Sequence, residues 1–160
     1  MKAELLQDIF AEKQLALFDI EQKQLGILKK FERACHSEQL KEGIQKHIRE
    51  TEEQIRGLRS FSSEHRNFEH APARGMVQEA DRLLRMEMDP ELRDAAIVAA
   101  MIEGEHLEIS AYSTGILMAK QLKLHEAVSM LERSLREERS MEEQLAALGQ
   151  NLLLEVAEAQ

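Results

Sequence analysis

The sequence has no tryptophan, a single cysteine, two prolines and only seven glycines in 160 residues. With one cysteine, Cys35, no internal disulfide can form, so nothing ties the chain to an oxidising compartment. Placed near a helix end, Cys35 reads as a small buried side chain rather than a reactive thiol. Scarce Gly and Pro leave few turn signals, and aromatics at 4% leave few strand formers; both count against a β-rich fold. Long apolar runs are missing as well. The longest, Ala95–Ile102, falls far short of the roughly 20 residues that a bilayer span needs. The opening MKAELLQDIFAEKQ is charged throughout and has no apolar signal-peptide core. A cytoplasmic protein with no membrane partner is the expectation. The net charge of −9, with Lys and Arg scattered rather than clustered, speaks against nucleic acid as a partner, because phosphate binding wants a basic face. No Gly-rich phosphate loop occurs, and Cys35, Ser110 and the six histidines show no hydrolase arrangement.

What the chain does have is Ala, Glu, Lys, Leu, Arg and Gln in quantity, the composition of long helices. The first helix is predicted from about Lys2 to Cys35, with Leu6, Phe10, Leu17, Leu25 and Leu28 on one stripe. Ser37 is suited to N-cap a second helix from Glu38 to about Phe61, with Leu40, Ile44, Ile48, Ile55 and Leu58 inward. SSEHRNFEHAPARG, Ser62–Gly75, lacks a period and reads as loop. A short amphipathic helix is expected over Met76–Met86. Asp89-Pro90 is a start signal for a third long helix, to about Leu122, and a fourth runs from Leu124 or His125 towards the C-terminus, fraying after Asn151. Two tight helix pairs joined by one long crossover that carries a short helix define an all-α four-helix bundle filling residues 1–160 as one domain.

Carboxylates interrupt the apolar stripes. On the fourth helix the stripe reads Val128, Leu131, Leu135, Glu138, Glu142, Leu145; on the third it reads Val98, Met101, Glu105, Glu108, Tyr112, Ile116. Glu21 shares a face with Phe10, Leu17 and Leu28. His47, Thr51 and Gln54 share one with Ile44 and Leu58, and Glu50 stands at its edge. All lie mid-helix, so an antiparallel bundle brings them to one level. Buried carboxylates are costly unless paired or metal-bound, and oxygen-rich sets suit iron or manganese. The candidate metal ligands are Glu21, Glu50, Glu105, Glu108, Glu138 and Glu142, with His47 and Gln54 as ligands or neighbours of ligands. The competing reading is a non-catalytic structural or interaction module whose acids are paired with Arg and Lys. His106 faces away from this group. Tyr112 either packs with its hydroxyl satisfied or serves a ligand.

The same residues carry a family resemblance. LRDAAIVAAMIEGEHLEISAYSTG (Leu92–Gly115), HIRETEEQI (His47–Ile55), LERSLREERSMEEQL (Leu131–Leu145) and ALFDIEQKQL (Ala16–Leu25) resemble motifs of the YciE/YciF-like branch of the ferritin-like superfamily. The likeness runs over roughly Leu15–Leu148. It implies a ferritin-like bundle with a two-metal carboxylate site, iron or manganese, and a stress-related redox or metal-handling role. By the same resemblance Glu50 and Glu138 would bridge the metals and Glu21, Glu105 and Glu108 would be terminal ligands. Glu142 stands where that family has Asp. A homodimer is expected, because Leu5, Leu6, Ile9 and Phe10 precede the bundle and need cover, as does Phe68 in the loop.

Overall fold

The computed structural model describes residues 5–61 and 68–158. Five helices follow one another: α1 Leu6–Ala34, α2 Glu38–Phe61, α3 Ala71–Leu84, α4 Pro90–Gln121 and α5 His125–Glu158. The four long ones form the bundle; α1 neighbours α2 and α4, and α5 neighbours α4 and α2. The crossover carries α3 along the α1–α4 side. It returns the chain to the α1–α2 turn, so that α4 starts beside that turn and runs parallel to α2.

The local reasons are visible in the ends. Asp8 accepts the Leu5 N–H at 3.0 Å and opens α1. Ser37 caps α2 as its sequence position suggests, its hydroxyl accepting the Leu40 N–H at 3.3 Å. Pro90 is the first residue of α4, but the Asp89 carboxylate makes no capping bond. The short helix begins five residues earlier than the pattern suggests, at Ala71 rather than Met76, and ends at Leu84. Pro72 suits a first turn, where its missing N–H is not needed. The His70 N–H is held by Asp19 of α1 at 2.8 Å, a tertiary anchor that local sequence does not disclose. At the other end of α3, the Arg93 guanidinium donates to the carbonyls of Leu84 and Met86. The fourth bundle helix does not fray after Asn151 but continues to Glu158.

Two apolar clusters fill the bundle, one at each end. Near the α1–α2 turn, Ile27, Leu28, Phe31, Leu40, Ile44, Ile97, Met101 and Leu145 pack together. At the far end Phe10, Leu17, Leu58, Tyr112, Ile116 and Leu131 do so. Phe10 is therefore buried in this second cluster rather than left for a partner, while Leu5, Leu6 and Ile9 stay exposed. The level between the clusters is polar on every bundle helix, and there the candidate site lies.

Asp94 holds the turn end. It is buried, and its two carboxylate oxygens accept the N–H groups of His36 and Ser37 at 2.8 and 2.6 Å, tying α4 to the α1–α2 link. Asp94→Ala strands both donors and is expected to cost about 2–3 kcal/mol. Urea unfolding measures this; a loss below about 0.5 kcal/mol would show that water replaces the carboxylate.

Candidate metal centre

Between the two clusters, α1 contributes Glu21 and Gln24, α2 His47, Thr51 and Gln54, α4 Glu105 and Glu108, and α5 Glu138; all are buried. His47, Glu105, Glu108 and Glu138 each offer a ligand atom, and these atoms all lie within 4.8 Å of one another. His47 Nε2 is 2.8 Å from Glu105 Oε1 and 3.9 Å from Glu138 Oε2. The shorter approach lacks the alignment of a hydrogen bond, and both ring nitrogens are left without one. The same is true of Glu21 Oε2, Gln54 Oε1, Glu138 Oε2, the Thr51 hydroxyl and all four oxygens of Glu105 and Glu108. Among the described residues no Lys or Arg reaches these carboxylates. The bundle's cations pair instead with outer acids, as in Lys29–Glu52 and Lys120–Glu132.

The remaining contacts orient the group. The Tyr112 hydroxyl donates to Glu21 Oε1 inside the core. The Gln54 amide donates to Glu138 and, at 3.0 Å, to Glu137. Tyr112 is thus satisfied and also fixes one oxygen of Glu21, leaving the other free.

Crowding sets the protonation. Burial pushes the Glu21 carboxyl up to about 7, against the pull of the Tyr112 hydroxyl and His47. Glu108 is raised well above the usual carboxylate range by burial and by Glu21, Glu138 and Glu105. Glu138 is raised in the same way, burial first and Glu21 next. Burial disfavours the charged imidazole of His47, but Glu105, Glu50 and Glu138 outweigh it and hold its pKa well above the ordinary value. Tyr112 is raised by burial and by Glu21, so it remains a donor.

Glu21 and Gln54 are buried beside the four convergent residues, and two of the sequence candidates lie outside the buried group. Glu50 is half-buried at the rim, 3.8 Å from His47 Nδ1 and 3.6 Å from Lys46. His47 and Lys46 keep its carboxyl below the usual range. Glu142 is not inward: it is partly exposed and faces the exposed His106 at 3.8 Å. Met141 and Ser134, rather than Glu142 and Leu135, complete the buried stripe of α5. Gln24 was not legible as part of the site, although its i+3 spacing from Glu21 puts it on the same face. Cys35 is buried at the end of α1, its thiol directed at the Glu32 carbonyl.

Against known proteins, the chain is 28% identical over 163 residues to YciF of Escherichia coli K12, covering 99% of this chain and 98% of that one. The crystal structure of that stress protein superposes with a TM-score of 0.89 at 27% identity, over 94% of this chain and 98% of YciF. YcfI of Rhodopseudomonas palustris matches with a TM-score of 0.84 at 26% identity, over 89% and 94%. A Xanthomonas campestris protein at 20% identity and TM-score 0.71 shares the fold. The fold is therefore ferritin-like, with the long crossover of that plan. The profile of the family described as "Domain of unknown function (DUF892)" matches residues 5–158, and the chain belongs to that family.

Proposed function

We propose that the buried group binds two divalent metal ions, iron or manganese, and that the protein acts in redox chemistry or metal handling under stress. The observation that carries this reading is the set of buried carboxylate oxygens with neither a hydrogen bond nor a Lys or Arg partner. A structural module would neutralise such acids with cations or replace them with apolar groups. Glu21, Glu105, Glu108 and Glu138 together carry four negative charges when ionised, which two divalent ions balance. Carboxylates with one imidazole are a donor set suited to iron and manganese. Bound there, such ions would supply Lewis acidity and one-electron redox chemistry.

The residues divide the work. Glu105, Glu108, Glu138 and His47 would hold the ions, with Glu21 and Gln54 Oε1 beside them. Tyr112 keeps Glu21 oriented. Glu50, half-exposed next to His47, would close the group on its solvent side. Measured metal content after loading with iron(II) or manganese(II) and exhaustive dialysis should be about two ions per chain. A content below about 0.2 ions per chain under both loadings would sink the proposal.

We propose in addition that the protein is a homodimer joined through the start of α1. Leu5, Leu6 and Ile9 are 57%, 40% and 40% exposed on one short stretch, and contiguous apolar surface marks contacts. Light scattering should give twice the chain mass, and deletion of residues 1–9 should shift it towards the monomer. A truncated protein that stays dimeric places the interface elsewhere.

A further inference from the structure

Gln24 lies one turn from Glu21 on α1 and touches Gly104, the residue before Glu105 on α4. Gly104 leaves a gap, and the Gln24 amide fills it. A Cβ at position 104 would sit 2.7 Å from Gln24 Nε2 and 3.1 Å from Oε1. The side chain is only 2% exposed, and among the described residues its amide makes no hydrogen bond. The amide atoms are not sealed from solvent, so a small polar molecule can partner them.

The same side chain lines a cleft of about 30 Å³ between α1, α3 and α4. That volume suits one water-sized molecule. The walls include Ile27, Phe31, Met76 and Ala100, and among the described residues the charged groups lining the cleft are Glu79 and Glu103, both exposed. Glu79 is paired with Arg82, which leaves Glu103 to set the sign of the cleft. Glu103 at the cleft repels an anion and does not repel a neutral polar molecule.

We propose that this cleft is a port through which neutral, water-sized polar reactants such as water and hydrogen peroxide reach the carboxylate group, with the Gln24 amide as its gate. The amide, seated against Gly104, receives the incoming molecule as both donor and acceptor. The port rests on the metal-centre reading, and its test separates the two.

The probe is water at manganese(II)-loaded protein, read by solvent proton relaxation. Gln24→Ala should open the port and raise the metal's contribution to relaxation by about threefold or more. Gln24→Leu, similar in size and unable to hydrogen-bond, should lower it to about half or less. If both variants bind manganese(II) as the wild type does and leave relaxation unchanged, the port is overturned. Loss of manganese(II) from Gln24→Leu alone would also overturn it, because Gln24 would then serve the ion and not the passage. Should the wild type bind no manganese(II), the centre itself is misread. The port is then judged in a crystal structure of the metal-free protein: an ordered water on the Gln24 amide supports it, and an amide packed dry overturns it. If Gln24→Ala does not fold, Gly104→Ala replaces it, since its Cβ must push the amide out of the seam and change the relaxation.

Discussion

In chelator at pH 8, protein carrying Glu105→Leu and Glu138→Leu together should unfold at a higher temperature than the wild type. Both carboxylates are fully buried, and without metal they crowd Glu21 and Glu108 across a level where, among the described residues, His47 is present and no Lys or Arg is. Leucine is larger than glutamate by about one methylene, so the substitution joins the two apolar clusters without opening a cavity. Replacing buried ionic groups by packed hydrocarbon is commonly worth about 1–4 kcal/mol, and for a chain of this size each kcal/mol shifts Tm by about 2–4 °C. Metal reverses the order. A ligand at a hundred times its Kd stabilises by about 2.7 kcal/mol, so saturating iron(II) or manganese(II) should raise the wild-type Tm and leave that of the double variant unchanged. Thermal unfolding with and without metal checks both halves. A double variant that is unfolded in chelator, while the wild type stays folded, would make these acids structural partners.

The placement of the acids behind this expected reversal can be read in part from the sequence. On α4 the stripe Val98, Met101, Glu105, Glu108, Tyr112, Ile116 is buried throughout: one heptad register places Val98, Met101, Tyr112 and Ile116 inward and carries the two acids with them, while Leu92 and Leu117 stay exposed. On α5 two registers share Leu131, Glu138 and Leu145 and differ only in the residues between. Hydrophobicity favours Leu135 over Ser134, yet Ser134 and Met141 are the buried ones. The helix is rolled towards α2, where Gln54 meets both Glu137 and Glu138. That roll turns Glu142 towards His106 at the outer edge. A helix's rotation is fixed by its neighbours on both sides, and one helix's own pattern does not contain them. The same limit hid the start of α3, held by Asp19 some fifty residues away, and the role of Asp94, whose partners are backbone groups of a distant turn. Gln24 was hidden for a different reason: its burial depends on a missing side chain on another helix.

Stability of the metal-free protein should fall as pH rises from about 5 to about 8, opposite to the behaviour of proteins held by ionised carboxylates. The sign follows from proton counts. Glu21 keeps its proton in the folded state to about 7, because burial outweighs the help from Tyr112 and His47, while the unfolded chain releases it near 4.5. Between those values the folded state binds more protons than the unfolded one, so raising the pH favours unfolding. For Glu21 alone the span corresponds to a loss on the order of 3 kcal/mol. Glu108 and Glu138, both raised well above the usual carboxylate range by burial first and by Glu21 next, add to the loss. His47 acts in the same direction: its pKa is raised in the fold, so its contribution is complete below about 6.5 and disappears as pH climbs through the raised value. Glu50, lowered by His47 and Lys46, opposes only at acid pH, where its contribution is lost. Metal replaces the protons, so in saturating manganese(II) the decline should vanish or invert, with binding tighter at higher pH. Urea unfolding across this range, in chelator and in metal, measures both slopes. Metal-free protein whose stability is flat or rising from pH 5 to 8 would mean that the four carboxylates are not crowded in solution, and the basis for the metal centre would go with them.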